Sequence, residues 1–172
     1  MPTVEEILKS KRKPKEIVEL LAEKLKSDSQ AIYELFQCFE NGTTAEKGSC
    51  VEAIEYVTKD NPEFAKNCLE FVMEHINDNA PKVKWEACRI IGNVAKEFPD
   101  KVKEAIPKVL ENTNDKGTVV RWSAAFALTE IAKNSEDAEK ELIPEFKKIL
   151  EREHNNGVRN VYIKYLKSGE RR

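Results

Sequence analysis

The sequence repeats itself at intervals of 37 residues, and this periodicity constrains the fold more than any other feature. Val83–Trp85 (VKW) aligns with Val120–Trp122 (VRW), and Ile106-Pro107 returns as Ile143-Pro144. Further along the chain the interval becomes 38, where Val158-Arg159 takes the place of Val120-Arg121. Self-similarity at a fixed interval of this size is typical of repeat proteins, in which each unit packs on its neighbours.

Each repeat contains two stretches in which apolar residues recur at helical spacing. In the clearest stretch, Val83, Ala87, Ile91 and Val94 share one face of a helix. No segment alternates like a β-strand, so the unit is predicted to be a helical hairpin. The spacing predicts helices over residues 3–10, 14–26, 28–40, 44–59, 62–77, 81–97, 99–113, 117–133, 136–152 and 157–168.

Several helix starts are predicted from capping boxes, in which a Ser or Thr and a Glu or Gln three residues later bond each other's backbone N–H groups. These pairs are Thr3 with Glu6, Ser27 with Gln30 and Thr43 with Glu46. Short helices with such starts cannot each bury a separate core, so the hairpins are predicted to stack and share one.

The predicted fold class is all-α: a right-handed α-α superhelix, or solenoid, of about five stacked hairpins with a period of about 37 residues. A single domain is predicted over residues 1–172, with a short N-terminal capping helix at 3–10 and repeats over about 14–168. The scarcity of glycine, with 6 residues, also disfavours a turn-rich all-β domain.

The copy between residues 106 and 128 resembles a HEAT repeat of the armadillo/HEAT superfamily. Ile106-Pro107 lies in its first helix, Asp115 lies in its turn, and Val120-Arg121 opens an alanine-rich second helix. The resemblance covers about residues 28–168 and implies a ladder of acidic and basic side chains that ties each repeat to the next. The implied ladder residues are Asp78, Lys84, Asp115, Arg121 and Arg159.

The resemblance also implies that the second helix of each hairpin lines a concave face. The candidate binding residues lie opposite the apolar stripes of these helices: Tyr56, Trp85, Arg89, Asn93, Lys96, Trp122, Phe126 and Glu130. Trp122 and Phe126 are four residues apart and share a helix face, as do Trp85 and Arg89, which form a candidate cation–π pair. Exposed Trp, Phe and Arg are typical of interaction surfaces, although both tryptophans would equally fill the space between hairpins.

The charges of the chain nearly cancel, with 29 Lys and Arg against 31 Asp and Glu. This balance disfavours a strongly basic nucleic-acid-binding protein, and the 40% hydrophobic content excludes a disordered chain. Glu52, Glu55, Glu86 and Glu130 lie among the lysines of the candidate face. They are expected to belong to a solvated surface of mixed charge.

The sequence contains no motif for a catalytic nucleophile, a phosphate-binding loop or a metal site. We therefore expect a non-enzymatic protein without a cofactor or metal. The four cysteines, at positions 38, 50, 68 and 88, have no CxxC spacing and are expected to be reduced core thiols. With no signal peptide or membrane span in the pattern, a cytoplasmic protein is expected.

The leading hypothesis is a scaffold that binds a protein or peptide in the concave groove, where desolvated aromatic residues supply affinity. The first alternative is a nucleic-acid-binding protein similar to the alkylation-repair DNA glycosylases with HEAT-like folds. A lyase-type accessory to a modifying enzyme is a further alternative without a residue signature. The apolar last helix, at 157–168, is a candidate surface for self-association.

Overall fold

A computed structural model describes residues 1–170, and every regular element in this range is a helix. The α-helices are α1 (Val4–Leu8), α2 (Pro14–Ser27), α3 (Ala31–Glu40), α4 (Thr44–Asp60), α5 (Leu69–Glu74), α6 (Pro81–Val94), α7 (Pro99–Val102), α8 (Ile106–Asn112), α9 (Thr118–Lys133), α10 (Glu136–Arg152) and α11 (Asn156–Glu170). Short 3₁₀ helices span Pro62–Asn67 and Lys103–Ala105. The last two positions of the predicted domain, 171 and 172, lie outside the described residues.

The helices form two layers. Helices α2, α4, α6, α9 and α11 pack side by side in chain order and make the most extensive contacts of the fold, so we call them the inner layer. Helices α3, α5, α8 and α10 pack against the inner layer and form the second layer, which we call the outer layer. Their apolar stripes meet in one continuous core, which confirms the predicted all-α solenoid.

The first helix closes the N-terminal end of the array. Thr3 caps α1 by accepting a hydrogen bond from the backbone N–H of Glu6, as its sequence pattern predicts. The carboxylate of Glu34, on α3, accepts a 2.7 Å hydrogen bond from the backbone N–H of Val4. Because that N–H lies at the start of α1, the bond satisfies a helix-end donor and ties the short helix to the array.

Two predictions about helix starts have different outcomes. The capping box of Thr43 and Glu46 is confirmed at the start of α4. The box predicted for Ser27 and Gln30 is wrong, because α2 continues through Ser27. The carboxylate of Asp28 accepts the backbone N–H of Gln30 instead (2.9 Å), so the chain turns one residue later than predicted.

Two of the predicted helices are interrupted. The helix predicted over 62–77 divides at Cys68, where φ is −138° and ψ is 0°, into a 3₁₀ segment and α5. The helix predicted over 99–113 divides into α7, a 3₁₀ turn and α8. Pro107 is the second residue of α8. At this position a backbone N–H makes no hydrogen bond within the helix, so the missing N–H of proline costs none.

Charged pairs connect successive repeats. Lys84 Nζ lies 2.7 Å from Asp115 Oδ1, and Arg121 Nε lies 2.7 Å from Glu153 Oε1. Burial alone would raise the pKa of Asp115, but its hydrogen bonds from Lys84 and a backbone N–H outweigh burial and lower it. The base of one inner helix thus pairs with the acid of the following turn.

The other two residues of the implied ladder make local contacts. Asp78 accepts the backbone N–H of Ala80 (2.9 Å) ahead of α6 and also lies 3.4 Å from His75 Nδ1. Arg159 donates to the backbone carbonyls of Leu150 and Glu153, at 2.5 and 2.9 Å. These two side chains therefore fix turns inside the array.

The cysteines lie in or beside the core. Cys50, Cys68 and Cys88 are buried, and Cys38 is half-buried. Burial raises the pKa of each of the three buried thiols to about 12, which keeps them protonated at neutral pH. This is the environment of a structural thiol rather than of a reactive one.

A buried amide links two neighbouring repeats. Asn112, the last residue of α8, donates from Nδ2 to the carbonyl of Ile76 (2.8 Å). Its Oδ1 accepts a bond from Asn77 Nδ2 (2.9 Å). Because both partners lie in the preceding turn, this side chain holds the outer layer in register.

We expect Asn112→Ala to lower the free energy of unfolding by about 1–3 kcal/mol, because the carbonyl of Ile76 would stay buried without its donor. Urea unfolding measures the change. Asn114→Ala, at an exposed position in the turn that follows α8, is the control and should change stability little. Equal effects from the two variants would contradict the linking role of Asn112.

Candidate binding face on the inner helices

The predicted binding residues lie on α4, α6 and α9 of the inner layer, or directly after α6 in the case of Lys96. Tyr56 and Trp122 are 47% and 37% exposed, and Lys96 is exposed. The half-buried members of the set are Trp85, Arg89, Asn93, Phe126 and Glu130. We call the exposed side of α4, α6 and α9 that carries these residues the open face.

Three of these side chains form a stack across two helices. The rings of Trp122 and Phe126 lie nearly parallel, with centroids 5.9 Å apart and an interplanar angle of 8°. The guanidinium carbon of Arg89, on α6, lies 6.0 Å from the Trp122 ring centroid. The predicted pairing of Arg89 with Trp85 is wrong, because Trp122 offers its ring from the neighbouring helix.

The ring of Phe126 packs directly against Gly92. A Cβ atom built on Gly92 would lie 2.3 Å from Phe126 Cε2, closer than any real contact. The absence of a side chain at Gly92 therefore makes room for the ring between α6 and α9. Phe126 both fills this space and supports Trp122 from below.

We expect Gly92→Ala to destabilise the protein by about 1–3 kcal/mol through the clash with Phe126. In an unhindered helix the same change would stabilise by up to about 1 kcal/mol, so the sign of the effect is diagnostic. Urea unfolding followed by tryptophan fluorescence measures both stability and the Trp122 environment.

The matched control is Gly48→Ala in α4, where the nearest atoms belong to the flexible stem of Lys82. That substitution should be neutral or stabilising, because the lysine stem can move aside. A Gly92→Ala protein as stable as Gly48→Ala would mean that Phe126 is free to rearrange.

A row of polar side chains lies between α4 and α6. At one end Lys82 Nζ pairs with Glu52 Oε1 at 2.6 Å. At the other end Asn93 Nδ2 lies 3.4 Å from both Glu55 Oε2 and Thr58 Oγ1. Asn93, a predicted binding residue, therefore also joins two inner helices.

Glu86 lies between these two ends and is buried, with only 2% of its surface exposed. The expectation that it belongs to a solvated surface is wrong. Its equivalents in the flanking repeats, Ser49 and Ser123, are also buried. The repeat alignment places all three residues at one position. The two serines at the equivalent positions were the sequence signal for the burial of Glu86.

The environment of Glu86 disfavours its charged form. Burial raises its pKa to about 7, with Glu55 and Glu52 adding to the rise and Arg89 and Lys82 opposing it. The nearest cationic atom, Arg89 Nη1, lies 3.6 Å from Glu86 Oε1, beyond hydrogen-bonding distance. Among the described residues, no group donates a hydrogen bond to that oxygen.

This burial predicts a pH-dependent stability. A folded-state pKa near 7, above the ordinary 4.5, means that wild-type stability falls as pH rises between these values. Glu86→Gln should therefore be more stable than wild type, with a gain at pH 8 that exceeds the gain at pH 5 by about 2 kcal/mol. Urea unfolding at both pH values measures it.

Glu111→Gln on α8 is the control, since Glu111 is exposed and the substitution changes net charge equally. Its effect on stability should be small and nearly independent of pH. A Glu86→Gln effect that is equal at both pH values would show that Glu86 is solvated in solution.

The other charged residues of the open face are more exposed. Lys133 Nζ pairs with Glu130 Oε1 at 2.9 Å within α9. Within residues 1–170 there is no group of three or more His, Cys, Asp and Glu side chains able to hold a metal ion. None of the helices in this range is both long and apolar enough to cross a membrane.

Comparison with known families gives the repeat type. A sequence model described as a HEAT-like repeat matches residues 81–131, which contain α6 and most of α9. Over these residues the chain is similar to a HEAT-like repeat. The matched segment includes Trp85, Arg89, Trp122 and Phe126. No curated protein matches the sequence.

Solved structures of engineered and designed proteins share the fold of this chain. One engineered protein is 18% identical, with a TM-score of 0.74 over 96% of this chain and 78% of its own. A designed armadillo repeat protein solved with the peptide (KR)4 is 18% identical, with a TM-score of 0.68 over 93% and 77%. Another designed armadillo repeat protein is 19% identical, with a TM-score of 0.71 over 96% and 80%.

Proposed function

We propose that this protein is a non-enzymatic scaffold that binds an extended peptide, or an extended segment of a partner protein, on the open face. The observation that carries the proposal is Trp122. This large aromatic ring is more than one-third exposed, yet it is held in place by Phe126 beneath it and Arg89 beside it. A rigid aromatic surface loses little conformational entropy on binding, which is the property of interface hot spots.

The fold supports the same proposal. A HEAT-like solenoid offers a long row of parallel inner helices, and an extended segment can contact several of them at once. The designed armadillo protein with the peptide (KR)4 shows that a protein of this architecture binds a peptide. On this chain, the aromatic residues on α9 would anchor the segment. The polar residues on α4 and α6 would orient it.

The charge of the open face favours a peptide over nucleic acid. Glu52, Glu55 and Glu86 lie between α4 and α6, where a phosphate backbone would need positive charge. Lys82 and Arg89 are already engaged with carboxylates of this row. The glycosylase-like alternative would need a continuous basic surface, which these three carboxylates interrupt.

The test is a displayed library of random peptides, selected against wild-type protein at physiological ionic strength. We expect the selected peptides to lose at least about tenfold in affinity for Trp122→Ala, because the exposed ring is their anchor. Tyr33→Ala is the matched control, since Tyr33 is a 51% exposed aromatic residue on α3 of the outer layer. It should leave the dissociation constants unchanged.

Fluorescence anisotropy with labelled peptides gives these constants, and circular dichroism confirms that both variants are folded. Peptides that bind wild type and Trp122→Ala equally would place the binding surface elsewhere. Peptides that lose affinity for Tyr33→Ala would move it to the outer layer.

A further inference from the structure

Two depressions lie on the surface of the last two described helices. One, of about 300 Å³, lies between α10 and α11, and the other, of about 510 Å³, lies along α11. Their linings combine apolar and basic side chains. We call the following residues of these linings the end face: Ile143, Lys147, Ile163, Lys164, Leu166 and Lys167.

The repeat alignment shows what the end face corresponds to. At the interval of 38 residues, Leu166 takes the place of Leu128, and Ile163 takes the place of Ala125. Leu128 and Ala125 are fully buried in α9, on which the following helices α10 and α11 pack. Leu166 and Ile163 are only half-buried. The end face is therefore built like a surface on which helices pack, and within residues 1–170 it stays partly open.

Charge distinguishes the end face from the equivalent surface of the preceding repeat. Lys167 takes the place of Thr129, and Lys147 takes the place of Leu110 at the interval of 37 residues. Thr129 is buried and Leu110 is half-buried, whereas both lysines are exposed. Among the described residues that line the two depressions, Glu139 is the single acid. The end face thus carries an excess of positive charge.

The lysines lie on both sides of the apolar residues. Helices α10 and α11 are joined by a short turn and run in opposite directions. Lys147 lies one helical turn after Ile143, and Lys167 lies one helical turn after Ile163. Because the helices are antiparallel, the two charges flank the apolar side chains from opposite sides.

The apolar side chains show that the end face is more than a polar cap. A terminal repeat that only ends an array in water presents a polar outer surface. Ile163 is instead larger and more apolar than the Ala125 that it replaces, and it remains half-buried. An apolar centre with a charged border is the composition of an interface.

We propose that the end face binds an amphipathic helix of a partner protein, whose acidic side chains pair with the lysines. The apolar stripe of that helix would pack on Ile143, Ile163 and Leu166, in the manner of helices that lie in apolar grooves. Carboxylates beside the stripe would reach Lys147 and Lys167. This surface is separate from Trp122, so the proposal goes beyond the proposed function and does not rest on it.

A second copy of this chain fits the end face less well. In a two-fold contact the same patch faces itself, so the lysines of one copy would approach those of the other. Like charges brought together in an interface are unfavourable. Positive charge therefore disfavours two-fold self-association through α11 and favours an acidic partner.

The test is a displayed library of amphipathic helices of about 18 residues, long enough to form helix in isolation. Their apolar stripe is leucine, and the positions beside the stripe vary among Glu, Gln and Lys. Selection uses wild-type protein at physiological ionic strength. We expect the selected peptides to carry Glu beside the stripe, because these positions meet the lysines.

Charge reversal then locates the site. The selected peptides should lose at least about tenfold in affinity for Lys147→Glu combined with Lys167→Glu. The same peptides with Lys in place of Glu should bind this variant more tightly than they bind wild type. The control combines Lys11→Glu with Lys13→Glu, which changes net charge equally at exposed positions ahead of α2 and should leave affinity unchanged.

Fluorescence anisotropy measures the dissociation constants, and circular dichroism confirms that both variants are folded, as expected for substitutions at exposed positions. Trp122→Ala should bind the selected peptides as tightly as wild type does. A loss of affinity in this variant would place the helix on the open face and overturn the proposal, while leaving the scaffold function in place.

Other outcomes would also overturn the proposal. Recovery of no binding peptide would do so, as would selected peptides without an excess of Glu. Equal affinity for wild type and the charge-reversed variant, or an equal loss in the control, would place binding elsewhere. A wild-type dimer in sedimentation experiments that is abolished by Ile163→Glu would assign the end face to a second copy.

Discussion

The structure depends on the close packing of the inner helices against one another. Helices α6 and α9 make the largest contact, and both helices carry small buried residues: Ala87, Cys88, Gly92, Ala124 and Ala125. Small side chains let helix axes approach to the lower end of the usual 8–10 Å range. Helices held farther apart would leave Phe126 without its place on Gly92 and would carry Arg89 away from Trp122.

The repeat and the helices could be predicted from sequence because both rest on local apolar spacing. Val83, Ala87, Ile91 and Val94 recur at helical intervals, and each is fully buried in the structure. The interval of the repeat then placed successive helices beside each other, since units of equal length stack in register. These inferences need no knowledge of which side chains meet across the helices.

The details that sequence reasoning missed all depend on contacts between helices. Arg89 has two tryptophans within reach, and only the arrangement of α6 and α9 decides that it lies over Trp122. Glu86 carries a charge and was assigned to the surface by its type, although α4 and α6 enclose it. The break at Cys68 is similar, because an uninterrupted apolar stripe gives no local sign of a change in helix type.

The burial of one equivalent position in three repeats has a consequence for how evenly the array resists unfolding. Ser49, Glu86 and Ser123 follow one another on adjacent inner helices, so the middle repeat alone is charged there. At alkaline pH the array would therefore open first between α4 and α6, so that its resistance to unfolding would be uneven along its length.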